Sequence, residues 1–146
     1  MKNPKISIII RTKNEEKYIS RCLKKISQQT LKDFEIIIVD NNSSDLTVKK
    51  ASLFTKKIIK IKKFLPGKAI NDGIRLSKGK IIVITSAHCI PVNNSWLKNL
   101  VKDLSDKKVA GVYGRQEPMK YTSDFDKRDL LTIFGLDKKV QIKDTF

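Results

Sequence analysis

The feature that most constrains this fold is a set of short apolar runs, each of which ends in polar residues. They read KISIII (residues 5–10), FEIIIV (34–39), KIIKIK (57–62), IIVI (81–84) and VAGVY (109–113). Runs of this length, rich in isoleucine and valine, are typical of strands in a parallel sheet. Segments with apolar residues at helical spacing lie between them. We therefore predict an α/β chain, a mostly parallel sheet flanked by helices in βαβαβαβαβ order.

The composition of each run also predicts its place in the sheet. The run at 81–84 is continuously apolar, which indicates a strand buried on both faces. The run at 5–10 is continuous enough to indicate a central, parallel strand. The run at 57–62 alternates with lysines, which favours a position nearer an edge of the sheet.

The charge is strongly basic and unevenly distributed along the chain. Of 146 residues, 31 are Lys or Arg and 15 are Asp or Glu, which gives a net charge of +16. Eight lysines and no acidic residue lie between Asp45 and Asp72. Such a surface attracts phosphates, nucleic acids or anionic lipid headgroups, or is simply a solvated lysine-rich face. Only five residues are Arg, so nucleic acid is an unfavoured main partner.

Two further observations bear on the compartment. Cys22 and Cys89 lack the CxxC spacing of zinc sites and do not form a disulfide framework. The first apolar run is too short for a signal peptide or a membrane span. We therefore expect a cytoplasmic protein whose basic surface allows peripheral contact with the inner face of the membrane.

Polar side chains follow three of the predicted strands, where ligands gather in α/β sheets. They are Arg11, Thr12, Asn14 and Glu15 after the first strand, Asp40 and Asn41 after the second, and Ser86 and His88 after the fourth. Two of them have a structural alternative. Glu15 also suits the first turn of a helix, and Asp40 also suits a carboxylate that fixes its own loop through Ser43 or Ser44.

Four motifs in order resemble a known family. Neither GxGxxG nor GxxxxGK[ST] is present, which disfavours dinucleotide-binding and P-loop folds. Instead the chain has RTKNE at 11–15, VDNNSSD at 39–45, GKAINDGI at 67–74, and an apolar residue, a proline and a Trp-Leu helix after the fourth strand. In this order they resemble the family-2 glycosyltransferases of the GT-A fold. The resemblance implies a nucleotide-sugar-binding core over residues 1–118. It also implies an acceptor-side segment that begins at 119–146, which we expect to be C-terminally incomplete.

The resemblance implies a function and further site residues. The reaction would be inverting transfer of a sugar from a nucleoside diphosphate sugar to a polysaccharide or lipid-linked acceptor, in cell-surface glycan synthesis. Lys68 and Asn71 would join the donor-binding residues, and Arg115 and Gln116 would lie on the acceptor side. The general base is expected beyond the end of this chain. The alternative is a non-catalytic basic module that binds an anionic polymer or a membrane surface.

The fourth strand departs from the family pattern. The family carries Asp-x-Asp there, a pair of carboxylates for Mg²⁺ or Mn²⁺, whereas this chain has Ser86-Ala87-His88. Three interpretations stay open: His88 ligates a transition metal, His88 hydrogen-bonds the diphosphate directly, or His88 is structural. Ser-Ala-His-Cys-x-Pro followed by Gly-Arg-Gln-x-Pro resembles a subgroup associated with surface polysaccharides. The need for a divalent metal, Mg²⁺ or Mn²⁺, is therefore open.

Overall fold

The computed structural model describes residues 4–134, of which residues 4–112 form a parallel sheet with helices on both faces. The strands are β1 (Ile6–Thr12), β2 (Phe34–Asp40), β3 (Ile58–Lys60) and β4 (Ile81–Ser86), in the spatial order β3-β2-β1-β4. The helices are α1 (Ile19–Ser27), α2 (Thr47–Ala51), α3 (Pro66–Arg75), α4 (Trp96–Val101), which a 3₁₀ turn (Lys102–Ser105) follows, and α5 (Asp124–Phe134). The predicted α/β class, a mostly parallel sheet with flanking helices, is confirmed.

β1 lies at the centre and pairs in parallel with β2 on one side and β4 on the other. It extends two residues past the end of the apolar run, because pairing continues through Arg11 and Thr12. Arg11 is in register with Ser86 of β4, and Thr12 is in register with Asp40 of β2. The carboxyl ends of three strands therefore lie side by side at one end of the sheet.

The side chains of β1 and β2 alternate between two apolar layers, as the two-residue period of a strand requires. Ile6, Ile8 and Ile10 face the layer that buries apolar residues of α1, α2 and α4. Ile9 and Val39 face the other layer, where they pack with Ala69 of α3. Both faces of the two strands are covered, which explains their nearly continuous isoleucine and valine content.

Two predictions about strand positions have different outcomes. β3 lies at an edge of the sheet, as predicted from its lysines. β4 was expected to be buried on both faces, and this is wrong: it forms the other edge, and Ile84 is 45% exposed. Within residues 4–134 no strand pairs with the outer side of β4, so an apolar sequence there does not ensure burial.

The fifth strand predicted at residues 109–113 is also wrong. These residues have no regular secondary structure, and four of the five are exposed. Ala110 and Gly111 in the middle of the run are poor β-formers, and the run pairs with no described strand. The sheet of the described residues therefore ends with β4.

The chain divides into two compact units, residues 1–112 and 113–146. In the second unit, Ser123 caps α5: its Oγ accepts from the Asp126 amide at 3.2 Å and donates to the Asp126 carboxylate at 2.6 Å. The rings of Tyr113 and Phe134 pack at a tilt, with centroids 6.5 Å apart. The predicted acceptor-side segment from residue 135 onward lies outside the described residues. No helix described between 4 and 134 is long and apolar enough to cross a membrane.

The close packing of α3 on the sheet predicts the effect of a small substitution. A Cβ on Gly73 would lie 2.6 Å from Cγ2 of Ile9 and 3.2 Å from Cγ2 of Val39, both of which are buried. Gly73→Ala is therefore expected to lower the free energy of unfolding by about 1–3 kcal/mol, measured by chemical denaturation.

Gly67→Ala is the matched control, because it lies in the same helix with nothing within 4 Å of its Cβ. It is expected to keep the free energy of unfolding or raise it by about 0.4–1 kcal/mol. Equal destabilisation by both substitutions would contradict this packing.

Candidate functional site

The candidate site begins where β1 and β2 end together. Asp40, the last residue of β2, is fully buried, and its carboxylate accepts hydrogen bonds from the Ser43 amide (3.0 Å) and the Ser43 hydroxyl (2.5 Å). The Asn41 amide donates to the Thr12 carbonyl at 2.9 Å. Asp40 thus fixes its own loop, which is one of the two roles that the sequence left open.

Asn14 joins the loop after β1 to the loop after β2. Its backbone amide donates to the Ser43 hydroxyl at 2.9 Å, and its side-chain oxygen accepts from the Ser44 amide at 2.9 Å. Asn14 and Asn42 both have positive φ, 52° and 51°, a conformation that asparagine tolerates better than most residues. These asparagines therefore allow two tight turns to face each other at the strand ends.

A second set of bonds, which sequence reasoning missed, holds Glu15 in place. The Glu15 amide donates to the Thr47 hydroxyl at 2.7 Å, and that hydroxyl donates to the Asp45 carboxylate. The other Asp45 oxygen accepts from the Glu16 amide at 3.1 Å. Burial alone raises the pKa of Asp45, but the hydrogen bonds from Thr47 and Glu16 lower it below its usual value. These contacts join residues 32 and 29 positions apart along the chain, so nothing in the sequence indicates them.

The main polar contact of the site joins the loop after β1 to the turn after β4. Nδ1 of His88 lies 2.7 Å from Oε1 of Glu15, and an ionised carboxylate only accepts, so the Nδ1 proton is donated to Glu15. The His88 side chain is 52% exposed, and its Nε2 has no protein partner within the described residues. Glu15 was also expected to suit the first turn of α1; that helix begins only at Ile19. The carboxylate instead orients the imidazole.

The residues at the end of β1 carry buried polar atoms without a partner. Oγ1 of Thr12 and Nε of Arg11 are buried, and neither has a hydrogen bond to another described residue. Such atoms are rare in proteins because an unsatisfied buried polar group is costly. Arg11 belongs to the same side of the sheet as Ser86 and α3, whereas Thr12 belongs to the side of α1. Both were predicted site residues, and both lie at the converging strand ends.

Lys68 and Asn71 lie on α3, whose first turn is near the carboxyl ends of the strands. Nζ of Lys68 bonds the Asp72 carboxylate at 2.6 Å, and Arg75 bonds it at 2.8 Å. The hydrogen bond from Lys68 is the main cause that lowers the pKa of Asp72. Asn71 is exposed, and its side chain has no bonded partner within residues 4–134. Lys68 is 60% exposed, so this surface ion pair exchanges readily with another anion.

The segment after β4 is held by a cysteine. Sγ of buried Cys22 donates to the Cys89 carbonyl at 3.5 Å, and the Cys89 amide donates to the Ser86 carbonyl at 3.0 Å. Burial, and secondarily the neighbouring Cys89, raises the pKa of Cys22 to about 12. Cys22 is therefore a core residue, and it fixes the turn that presents His88.

Arg115 and Gln116, predicted on the acceptor side, belong to the second unit. Arg115 lies 3.7 Å from the Glu117 carboxylate, a partly exposed pair. Their role in acceptor binding stays a prediction.

Comparison with known proteins gives a family match over most of the chain. The sequence profile of glycosyl transferase family 2 matches residues 7–145. A Methanococcus voltae protein named dolichyl N-acetyl-alpha-D-glucosaminyl phosphate 3-beta-D-2,3-diacetamido-2,3-dideoxy-beta-D-glucuronosyltransferase is 36% identical over 123 residues. The match covers 75% of this chain and 38% of that protein. This chain thus spans well under half of that relative.

Two solved structures share the fold. The mannosyltransferase PcManGT from Pyrobaculum calidifontis, in complex with GDP-Man and Mn²⁺, superposes with a TM-score of 0.68 and 25% identity. That superposition covers 90% of this chain and 39% of PcManGT. TarS 1–349 of S. aureus in complex with UDP-GlcNAc gives a TM-score of 0.62 at 25% identity, over 79% of this chain and 37% of TarS. The predicted resemblance to a GT-A nucleotide-sugar transferase is confirmed.

The residues of this site do not fit a protein-held Mg²⁺. Residues 4–134 contain no cluster of three or more His, Cys, Asp and Glu side chains suited to a metal ion. At the end of β4 the chain offers a hydroxyl and an imidazole in place of two carboxylates, and Glu15 is already bonded to His88. Hard cations prefer several oxygen ligands. This donor set therefore differs from the one expected around the metal of a typical family member.

The buried carboxylate of Asp40 predicts a loss of stability without any ligand. Asp40→Asn replaces one acceptor with a donor that faces the Ser43 amide or hydroxyl, so the free energy of unfolding is expected to fall by about 1–3 kcal/mol. Denaturation of the ligand-free protein measures it. The adjacent Asn41→Ala removes a side chain without a bonded partner in residues 4–134, and is expected to change stability by less than about 0.5 kcal/mol. An Asp40→Asn variant as stable as wild type would show that the carboxylate does not fix the loop.

Proposed function

We propose, since this chain belongs to glycosyl transferase family 2, that it binds a nucleoside diphosphate sugar at the ends of β1, β2 and β4. The sugar would then pass to a polysaccharide or lipid-linked acceptor in cell-surface glycan synthesis. The observation that carries the proposal is the Glu15–His88 pair, a polar contact presented where three parallel strands end. The names of the relatives support this class of acceptor, because the Methanococcus protein is named for a dolichyl phosphate sugar.

The base and ribose belong at the ends of β1 and β2. Thr12 supplies a buried hydroxyl without a hydrogen-bond partner among the described residues. Asn41 supplies a side-chain amide that likewise has no hydrogen-bond partner among them. Asp40 and Asn14, also predicted to bind the donor, act mainly by holding the two loops in register. Arg11 adds a positive charge beneath the same edge.

The diphosphate belongs between β4 and the first turns of α3. With both ring protons present, His88 donates through Nδ1 to Glu15 and through Nε2 to a phosphate oxygen. Lys68 breaks its ion pair with Asp72 and binds the same phosphates instead. Ser86 and Asn71 supply neutral hydrogen bonds. Fixed donors of this kind stabilise negative charge on a leaving group. This interpretation takes His88 as a direct phosphate ligand in a site that does not fit Mg²⁺.

The chemistry is a displacement at the anomeric carbon. An acceptor oxygen forms the new C–O bond, its proton passes to a general base, and the nucleoside diphosphate leaves with the electrons of the broken C–O bond. Inversion follows from a single attack on the face opposite the leaving group. We assign no described residue as the base.

Both cysteines are free thiols, which supports the proposed cytoplasmic location.

Nucleotide binding tests the proposal directly. UDP, GDP and dTDP are each titrated into the protein by isothermal calorimetry, and one of them is expected to bind selectively. His88→Ala is expected to weaken that affinity about tenfold or more, because it removes a charge-assisted hydrogen bond to phosphate. Cys89→Ser, which keeps the backbone carbonyl that Cys22 contacts, is the control and is expected to bind like wild type. Absence of binding to all three nucleotides, with salt-sensitive binding to polyanions, would favour the non-catalytic basic module.

The same titration tests the metal. If His88 contacts the phosphates directly, affinity in EDTA is expected to match affinity in Mn²⁺ within about twofold. The opposite result would be a large loss of wild-type affinity in EDTA and a His88→Ala variant whose affinity no longer depends on Mn²⁺. That result would assign His88 as a metal ligand.

A further inference from the structure

The eight lysines between Asp45 and Asp72 do not form a single uncommitted surface. Lys57 pairs with Glu35, Lys68 pairs with Asp72, and Lys50 donates to the Glu16 carbonyl at 2.8 Å. These three ammonium groups therefore already interact with a carboxylate or a carbonyl of the protein. Three others lie close together in residues 60–65, which are the last residue of β3 and the segment that joins it to α3: Lys60, Lys62 and Lys63. None of these three forms an ion pair with another described residue, and all are exposed.

Two large apolar side chains lie in the same segment. Phe64 is 44% exposed and Leu65 is 49% exposed, directly after Lys62 and Lys63 in the sequence. The lysines also line a shallow pocket of about 460 Å³, with Leu65 on its wall. Exposed aromatic and aliphatic residues beside lysines are the composition of segments that lie in a membrane interface.

Residues 60–65 are fixed near the carboxyl ends of the strands, where the candidate site lies. The Ile61 amide donates to the Asp40 carbonyl at 2.8 Å, so the chain leaves β3 beside the end of β2. The Leu65 carbonyl accepts from the Ala69 amide at 2.9 Å, which starts α3. Any surface that residues 60–65 contact therefore lies next to the ends of the strands.

The combination of charge and apolar area selects the partner. A soluble polyanion would satisfy the lysines but would leave Phe64 and Leu65 in water. An anionic bilayer satisfies both, because its headgroup phosphates attract lysines while the boundary with the acyl chains accepts apolar side chains.

We propose that residues 60–65 dock this protein on an anionic phospholipid surface, with Phe64 and Leu65 inserted between headgroups and Lys60, Lys62 and Lys63 over the phosphates. Docking there turns the strand ends toward the membrane. This proposal does not depend on the nucleotide or on His88, so its failure would leave the proposed transferase function untouched.

Sedimentation with vesicles tests the proposal on the whole 146-residue chain. Vesicles of phosphatidylcholine mixed with phosphatidylglycerol are expected to bind the protein, and pure phosphatidylcholine is expected to bind it weakly. The double variant Lys62→Gln/Lys63→Gln is expected to lower the partition coefficient about tenfold or more, since each lysine near such a surface contributes roughly fivefold. Phe64→Ser is expected to lower it severalfold without any change of charge.

The charge-matched control is Lys49→Gln/Lys56→Gln. It removes the same charge beside a second exposed apolar pair, Leu53 and Phe54, outside residues 60–65. It is expected to bind vesicles within about twofold of wild type. The melting temperature of each variant is expected to match wild type, because the substituted positions are exposed. Equal losses for the two double variants would overturn the assignment to residues 60–65. If Phe64→Ser binds vesicles like wild type, Phe64 does not insert between headgroups and the proposed mode of docking is wrong.

Discussion

The pairing of β1 with both β2 and β4 is the constraint on which the rest of the structure depends. It sets Thr12 beside Asp40 and Arg11 beside Ser86, so three loops with little sequence in common emerge at one edge. It also divides the apolar residues of β1 between two layers, which places α1 on one face and α3 on the other. The candidate site is therefore a consequence of sheet register, and its own hydrogen bonds refine it.

Those hydrogen bonds divide the polar residues of the site into groups that hold the loops and groups that are left for a ligand. The loop carboxylates Asp40 and Asp45 accept from neighbouring hydroxyls and amides, so they hold backbone and have little capacity left for a ligand. Glu15 is committed to His88. The groups that remain open are a hydroxyl, an amide, an imidazole nitrogen and flexible lysines. Such a set suits phosphate and hydroxyl groups better than a hard cation.

Much of the fold and the general place of the site could be predicted from the sequence. Continuous Ile and Val runs indicate β1 and β2 because both faces of each strand are covered. The same rule overestimated the burial of β4, since exposure of Ile84 depends on which strand lies beside it, and composition carries no such information. The Glu15–His88 contact joins residues 73 positions apart, and the Asn14–Ser44 contact joins residues 30 apart. Neither has a periodicity to reveal it.

The parallel register of β1 and β4 has a consequence for the order in which the chain acquires structure. Ile6 pairs with Ile81, so the central strand cannot obtain its second neighbour until the segments that contain α1, β2, β3 and α3 have been synthesised. Contacts between such distant residues slow folding, because the entropy of closing the loop is lost before the contact is gained. During synthesis β1 and β2 would therefore associate first, leaving one side of the isoleucine-rich strand uncovered and a target for chaperones until β4 arrives.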